Sequence, residues 1–171
     1  MRVFTALRHV LAIAALPFVV VVVVPVWLAR RNGVVVRLGT GAGEVLSQVV
    51  GVPLVMVGLV LFVASLRRFA TEGEGTLAPW DPPRRLVVRG PYRYVRNPMI
   101  SGVAFVALGL SLVLLSWPHL EWALLFFAIN AVYIPLVEER GLRERFGAEY
   151  ENYCRHVPRL VPRIHPWEAG T

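Results

Sequence analysis

One polar stretch, residues 89–98, carries residue types that could bind an anion, and it leads directly into an apolar run. Asn97 followed by Pro98 is typical of the start of a helix. The free N–H groups and the partial positive charge at such a start favour a negatively charged ligand. Arg93 and Arg96 could add forked donors for a carboxylate or a phosphate. The stretch therefore predicts an anion-binding helix N-terminus.

The composition of this stretch also fits an anchor at a membrane surface. Its arginines would hold the chain at the interface, and Tyr92 and Tyr94 would belong to the interfacial aromatic belt. Gly102, one turn into the helix that follows, would let either a ligand or a neighbouring backbone approach closely. The residues alone leave both interpretations open.

A second polar stretch begins with adjacent carboxylates, Glu138 and Glu139, directly after another apolar run. Adjacent side chains on a helix do not face the same partner. One glutamate could pair with an arginine of residues 67–98, and the other could accept hydrogen bonds from the hydroxyls or the amine of a ligand. The pair is therefore a candidate binding site at a membrane boundary.

An amphipathic helix is predicted after the glutamate pair. Its apolar positions are spaced by four, four and three residues: Leu142, Phe146, Tyr150 and Tyr153. This spacing places them on one face of a helix that could lie on the membrane surface. The prolines of residues 157–163 end regular structure, and we expect this segment to fold back over the mouth of the site.

Long apolar runs must position these two stretches. Of the 171 residues, 56% are hydrophobic and 17% are charged, whereas soluble domains have about a quarter charged residues. A helix of about 20 apolar residues crosses a bilayer. We predict an all-α integral membrane protein in one domain, 1–171, whose last two spans form a tight hairpin. The predicted spans are about 10–28, 45–66, 99–116 and 120–137.

The distribution of arginine predicts the orientation. The net charge is +7, and all 18 basic residues are arginine. Fifteen of them fall in the N-terminus, in loop 67–98 and in segment 138–171. The positive-inside rule places these three regions in the cytoplasm, in what we predict to be a bacterial inner membrane. Arginines at membrane boundaries argue against nucleic-acid binding, and one cysteine with four dispersed histidines predicts no metal site.

Together, these segments resemble the isoprenylcysteine carboxyl methyltransferases and the related phospholipid methyltransferases. The resemblance rests on residues 90–99, on the glutamate pair, and on residues 146–153 and 157–159, in the same order across a helical hairpin. It covers residues 76–163 and does not specify the substrate.

The resemblance implies an integral membrane enzyme that moves a methyl group from S-adenosylmethionine to a lipophilic small molecule, a lipid or a lipidated acceptor. Gly102 is included because it would let a ligand approach closely. The predicted cofactor-binding residues are Tyr92, Arg96, Asn97, Pro98, Ile100, Gly102, Glu138, Glu139, Tyr150 and Arg159. The predicted catalytic residues are Arg93 and Glu139. Two positions depart from the common family pattern, since many members have His at Asn97 and Tyr at Ile100.

The chemistry of methyl transfer fits these residue types. Transfer from a sulfonium is an in-line displacement that needs aligned reactants and a dry site. A carboxylate acceptor needs no base, whereas an amine or a thiol must first lose a proton. Arginine suits the carboxylate of the cofactor, glutamate its diol or amine, and a tyrosine ring its sulfonium.

Two other functions remain open from the sequence. Membrane sterol-type reductases have a similar C-terminal hairpin and a related Gly-Pro-aromatic-Arg-Tyr element, and they bind NADPH, but they are usually much longer. A small non-enzymatic membrane protein is the other alternative.

Overall fold

The structure is a computed structural model that describes residues 17–36, 39, 41–72 and 86–168. Every regular element in this part of the chain is helical, which confirms the predicted all-α class. The α-helices, in chain order, are α1 Val24–Arg31, α2 Ala42–Glu72, α3 Pro98–Val113, α4 Trp117–Tyr133 and α5 Glu139–His156. π-helical turns at Val19–Val23 and Ile134–Glu138 precede α1 and α5, and a 3₁₀ turn at Gly90–Arg93 precedes α3.

Two helical stretches are long and apolar enough to cross a membrane, Ala42–Arg68 and Trp117–His156. The second is far longer than the roughly 20 residues that a bilayer requires. Its apolar part ends at Val137, and the charged helix α5 lies beyond it. Helix α3 is apolar but shorter. The four spans therefore stay a prediction, and the span predicted at 10–28 lies partly outside the described residues.

The predicted break between the last two apolar helices lies slightly earlier than expected. Residues 114–116 connect α3 to α4, and Leu115 has a positive φ of 48°. Pro118 lies in the first turn of α4, where its missing N–H removes no helical hydrogen bond. The two helices pack against each other, so the break brings consecutive apolar segments side by side.

Helices α2 and α3 approach closely because their glycines face each other. A Cβ atom added at Gly58 would lie 2.6 Å from the carbonyl oxygen of Gly102, and one at Gly102 would lie 2.7 Å from that of Gly58. Gly51 and Gly109 face each other in the same way, at 2.9 and 2.8 Å. Lipid weakens the hydrophobic drive for helices to associate, so close backbone packing becomes the main attraction. This antiparallel crossing fixes where α3 begins.

Helix α4 holds the N-terminal helix through two side-chain hydrogen bonds to its backbone. The indole Nε1 of Trp122 donates to the carbonyl of Val20 at 3.0 Å. In a π-helical turn the carbonyl of Val20 would accept a hydrogen bond from the residue five positions further on. That residue is Pro25, which has no N–H, so the indole of Trp122 supplies the donor. The Nε2–H of His119 donates to the carbonyl of Pro25 at 3.1 Å, and its Nδ1 lies 2.7 Å from the hydroxyl of Ser116. These bonds satisfy polar groups that lipid cannot satisfy.

We predict that Gly58→Ala destabilises the protein by about 1–3 kcal/mol, because the added methyl group meets the backbone of α3. Gly43→Ala is the matched control on the same helix, since a Cβ at Gly43 meets nothing within 4 Å. The control should be neutral or stabilise by up to about 1 kcal/mol. Thermal unfolding of both variants in detergent measures the difference. Equal melting temperatures would show that the glycine crossing is not tight.

Candidate active site

The side chain of Glu139, the first residue of α5, is 1% exposed and forms ion pairs with three arginines. Arg159 binds it with both arms, Nε to Oε1 at 2.6 Å and Nη2 to Oε2 at 2.9 Å. The Nη1 atom of Arg96 lies 2.9 Å from Oε1. Arg143, one turn further along α5, donates to Oε2 at 3.4 Å. The predicted pairing of one glutamate with an arginine before α3 is therefore present.

These arginines keep Glu139 ionised. Burial opposes ionisation, but the hydrogen bonds from Arg159 and the positive charges of Arg96, Arg159 and Arg143 outweigh it and lower the pKa of the carboxyl below its usual 4.5. Hydrogen bonding to Glu139 in turn raises the pKa of Arg159. Three hydrogen bonds and the ion pair with Arg96 occupy most of the lone-pair positions of this carboxylate. Glu139 therefore joins the loop before α3, α5 and residues 157–168.

Glu138, the last residue of the π-helical turn, lies in a different environment. It is partly buried, and its Oε2 accepts a hydrogen bond from Asn97 Nδ2 at 3.1 Å. Burial raises the pKa of Glu138, the bond from Asn97 partly opposes this, and the charge of Glu139 adds to it. Burial and the charge of Glu138 in turn raise the pKa of the Tyr92 phenol. The two adjacent carboxylates therefore have opposite pKa shifts.

Asn97 occupies the N-cap position of α3 and Pro98 is the first helical residue, as predicted. The side chain of Asn97 makes no capping hydrogen bond to the backbone of α3, and its Nδ2 donates to Glu138. The hydroxyl of Ser101 lies 3.0 Å from the carbonyl of Asn97 and 2.6 Å from that of Leu160. Its single hydrogen can serve only one of them at a time. The hydroxyl of Ser101 thus links the first turn of α3 to Asn97 on one side and to Leu160 of the C-terminal segment on the other.

Residues 157–168, here named the C-terminal strap, fold back along residues 93–97, as the prolines predicted. The contact uses four backbone hydrogen bonds: Arg96 N to Pro158 O at 2.8 Å, Asn97 N to Arg159 O at 3.2 Å, Arg163 N to Tyr94 O at 3.0 Å, and Trp167 N to Arg93 O at 2.9 Å. This pairing delivers Arg159 to Glu139.

Arg93, a predicted catalytic residue, is bound by the C-terminal strap. Its Nε donates to the carbonyl of Trp167 at 2.7 Å, and its Nη2 lies 3.3 Å from a carboxylate oxygen of Glu168. The guanidinium therefore stabilises the strap and does not join Glu138 and Glu139. Its catalytic role stays a prediction.

The apolar face predicted on α5 is covered by the strap. Tyr150 and Tyr153, each 2% exposed, form a cluster with Val157, and Trp167 packs against them. The hydroxyl of Tyr153 donates to the carbonyl of Tyr92 at 2.6 Å. Gly147 interrupts the helix with a φ of 48°, so α5 is kinked. The sequence analysis missed Trp167, whose only signal is a large aromatic residue in a proline-rich tail.

Arg96 holds the one buried side-chain polar atom without a hydrogen-bond partner in the described residues, its Nε. The side chain is 11% exposed, and its Nη1 is shared between Glu139 and the Sγ of Cys154, which lies 2.7 Å away. An unpaired buried donor costs free energy and calls for a structural explanation.

Two predicted cofactor residues lie elsewhere. Ile100 packs against the hydrophobic cluster of Val20, Val103 and Phe126. Gly102 faces the backbone of Gly58, which is the second of the two roles expected for it. The other predicted residues act on Glu138 or Glu139 through hydrogen bonds or charge: Tyr92, Arg96, Asn97, Tyr150 and Arg159. Pro98, which follows Asn97, is buried.

An apolar groove of about 110 Å³ lies next to this site. Ala104 and Phe105 of α3, Ala123 and Phe127 of α4 and Leu160 of the strap contribute to its walls. Ser101 also lines it, and the hydroxyl of Ser101 lies close to the carbonyl of Asn97. The groove and the polar site therefore meet at the first turn of α3.

We predict that Glu139→Gln destabilises the protein by about 3–5 kcal/mol, because it leaves buried arginine charge uncompensated. Glu144→Gln is the control, since the exposed Glu144–Arg140 pair contributes only about 0.3–0.5 kcal/mol. The lowered pKa of Glu139 means that its stabilisation is complete above the usual pKa of 4.5 and is lost as the pH falls below it. Thermal unfolding in detergent across this pH range measures both effects. If the difference in melting temperature between Glu139→Gln and Glu144→Gln did not change with pH, this account of Glu139 would be contradicted.

Comparisons with known proteins identify the family of the chain. The model of the family described as phospholipid methyltransferase matches residues 46–149, which include residues 89–98 and the glutamate pair. Methanethiol S-methyltransferase 2 of Bradyrhizobium diazoefficiens is 39% identical over 77 residues, which cover 43% of this chain and only 27% of that relative. No solved structure matches the chain. Since the family model covers more than half of the residues, this chain belongs to the phospholipid methyltransferase family.

Proposed function

We propose that this protein is an integral membrane methyltransferase that transfers a methyl group from S-adenosylmethionine to a lipophilic acceptor. Membership of a methyltransferase family supports the reaction class. The observation that supports a bound cofactor is the unpaired Nε of Arg96, a buried donor in a guanidinium whose Nη1 pairs with Glu139. The NADPH-dependent reductase and the non-enzymatic protein have no comparable support.

The side chains around the glutamate pair fit this cofactor. Arg96 Nε would donate to its carboxylate, the amide of Asn97 would face its polar groups, and the ring of Tyr92 would attract its cationic sulfonium. When bound, the cofactor supplies an electrophilic methyl group. Glu139 pairs with Arg96 and with Arg159 of the strap, and the strap would keep water away from the bound cofactor. Pro98 and Tyr150 would complete the wall.

The apolar groove would hold the hydrophobic part of the acceptor. Its walls are almost wholly apolar, and Ser101, whose hydroxyl lies close to the carbonyl of Asn97, is one of its lining residues. The name of the relative in Bradyrhizobium diazoefficiens indicates a small thiol as the acceptor of that protein. An isoprenylcysteine-type acceptor, expected from the resemblance, would place a longer chain in the same groove. Both belong to the lipophilic class that we propose.

We further propose four spans in a bacterial inner membrane, with both termini and the glutamate pair on the cytoplasmic side. Two apolar stretches of sufficient length and a family of membrane methyltransferases support the membrane location. The excess of arginine in segment 138–171 supports the orientation. A water-soluble cofactor would then reach the site directly from the cytoplasm.

We predict that the wild-type protein binds S-adenosylmethionine and that Arg96→Lys weakens binding at least about tenfold. Lysine keeps a cation opposite Glu139 but lacks the Nε–H that would meet the ligand. Arg96→Ala should abolish binding, since it removes the whole guanidinium. Isothermal titration of the purified proteins measures the affinities.

Arg140→Lys is the matched control, because the side chain of Arg140 is 78% exposed and pairs only with Glu144. It should bind the cofactor as the wild type does. Unchanged affinity in both Arg96 variants, with insertion into the membrane intact, would reject the assignment of Arg96.

The orientation can be tested with single cysteines in a Cys154→Ser background. Ala148→Cys, on α5, should react with an impermeant maleimide only from the cytoplasmic side. Asn32→Cys, at the end of α1, should react only from the opposite side. Labelling of spheroplasts and of inverted vesicles measures this. Labelling of both positions from one side would overturn the proposed topology.

A further inference from the structure

The C-terminal strap carries apolar side chains on both of its sides. Its inner side is buried against the protein, since Val157 is 1% exposed and Trp167 packs on the tyrosine cluster of α5. Val161 and Ile164 are instead 67% and 89% exposed, so the described residues leave them largely uncovered. A segment that is apolar on both sides requires a second apolar surface on its outer side.

Helix α5 does not provide an apolar contact with the membrane, although its spacing predicted one. The strap covers the apolar face of this helix, and the exposed positions of α5 include Arg140, Glu144 and Glu149. Among the described residues that follow Val137, the exposed large apolar side chains are Val161 and Ile164 alone. The apolar surface beyond the last predicted span is therefore the outer side of the strap.

The strap lies at the edge of the apolar helices. The carbonyl of Leu160 is 2.6 Å from the hydroxyl of Ser101, which is three residues past the start of α3. Leu160 and Val161 line the apolar groove together with Leu124 and Phe127 of α4. Leu124 and Phe127 are exposed apolar residues of a predicted span, so lipid is expected to face them. Val161 therefore continues a surface that faces lipid.

The backbone of the strap suits a membrane boundary. Polar backbone groups that face lipid must find partners within the protein. Pro158, Pro162 and Pro166 have no N–H to satisfy. Four backbone hydrogen bonds to residues 93–97 engage further groups of the strap. An irregular segment of this kind can lie in the interfacial region beside the apolar helices.

Positive charge lies close to the exposed apolar pair. Arg155, at the end of α5, is exposed, and Arg163 directly precedes Ile164. Within the described part of the chain neither arginine forms an ion pair, whereas Arg159, between them, is paired with Glu139. Anionic headgroups attract such cations. Arginine side chains can also reach the headgroups while their stems lie along apolar surface.

We propose that the outer side of the strap is a membrane-docking surface: Val161 and Ile164 insert into an anionic phospholipid leaflet, and Arg155 and Arg163 bind its headgroups. This inference goes beyond the proposed reaction. It rests on the membrane location and the cytoplasmic orientation proposed above, and it does not depend on the cofactor or the methyl acceptor.

Docking on lipid acts on the glutamate cluster through the strap. Arg159, which binds Glu139 with both arms, is two residues before Val161. Lipid that holds Val161 in place therefore also restricts Arg159. The same contact favours the backbone pairing of the strap with residues 93–97. The strap should accordingly open more often when its outer side is out of lipid.

Spin labels on the full-length protein in phosphatidylglycerol nanodiscs test the insertion. Single cysteines are placed in a Cys154→Ser background at Ile164, at Glu144 on the charged surface of α5, and at Ile129 on the exposed apolar surface of α4. The labels at 164 and 129 should lose relaxation by a water-soluble nickel chelate and keep relaxation by oxygen, which enters lipid. The label at 144 should respond strongly to the chelate.

The three positions separate two kinds of failure. If the label at 164 responds to the chelate as the label at 144 does, while 129 is shielded, the docking proposal is overturned and the membrane location stands. If the label at 129 also responds to the chelate, the proposed membrane location fails, and the docking surface fails with it.

Hydrogen–deuterium exchange in the same nanodiscs tests the effect on the strap. Ile164→Asn should speed exchange of the Arg96, Asn97, Arg163 and Trp167 amides about tenfold or more, because it removes the transfer of one isoleucine side chain into lipid. Ile164→Leu, which keeps the apolar side chain, is the matched control and should exchange as the wild type does. Equal rates in all three proteins would overturn the proposal.

Lipid charge is the last readout. In the wild type these four amides should exchange about fivefold or more slowly in phosphatidylglycerol nanodiscs than in phosphatidylcholine nanodiscs, because the anionic surface attracts Arg155 and Arg163. The difference should shrink at high salt, which screens this attraction. Equal exchange in the two lipids would overturn the proposed preference for an anionic leaflet.

Discussion

The buried carboxylate of Glu139 holds together three segments that are far apart in the sequence. Arg96 comes from the loop before α3, Arg143 from α5 itself, and Arg159 from the C-terminal strap. A buried ion pair is favourable only when its geometry and hydrogen bonds offset the loss of hydration. Three hydrogen bonds and a further ion pair on one carboxylate meet this condition. The strap, the loop and α5 therefore depend on the same side chain for their relative position.

The helices position this cluster through a different kind of contact. The glycine crossing of α2 and α3 fixes the start of α3, where Arg96, Asn97 and Pro98 lie. A π-helical turn joins α4 to α5 and presents Glu138 and Glu139 to that start. Pro135, inside this turn, lacks the N–H of a regular helix. Close packing in the apolar region thus sets the geometry of a polar site at its edge.

Residue types and spacing predicted much of this arrangement, since caps, prolines and charges act locally. The helix start at Asn97 and Pro98, the pairing of a glutamate with an arginine and the folding back of residues 157–163 all followed from the sequence. Which of the two glutamates pairs with arginine did not, because this depends on contacts with Asn97, Arg96 and Arg159, which are distant in the sequence. Nor did the binding of Arg93 by the strap, because that contact joins residues 74 positions apart.

Hydrogen–deuterium exchange with and without S-adenosylmethionine tests the central claim most directly, namely that the loop before α3 and the C-terminal strap form one cofactor site. Binding should slow exchange together in residues 90–101 and in residues 157–168, which share four backbone hydrogen bonds. Residues 32–36, between α1 and α2, should not change. Protection confined to another region, or protection of only one of the two segments, would contradict the account.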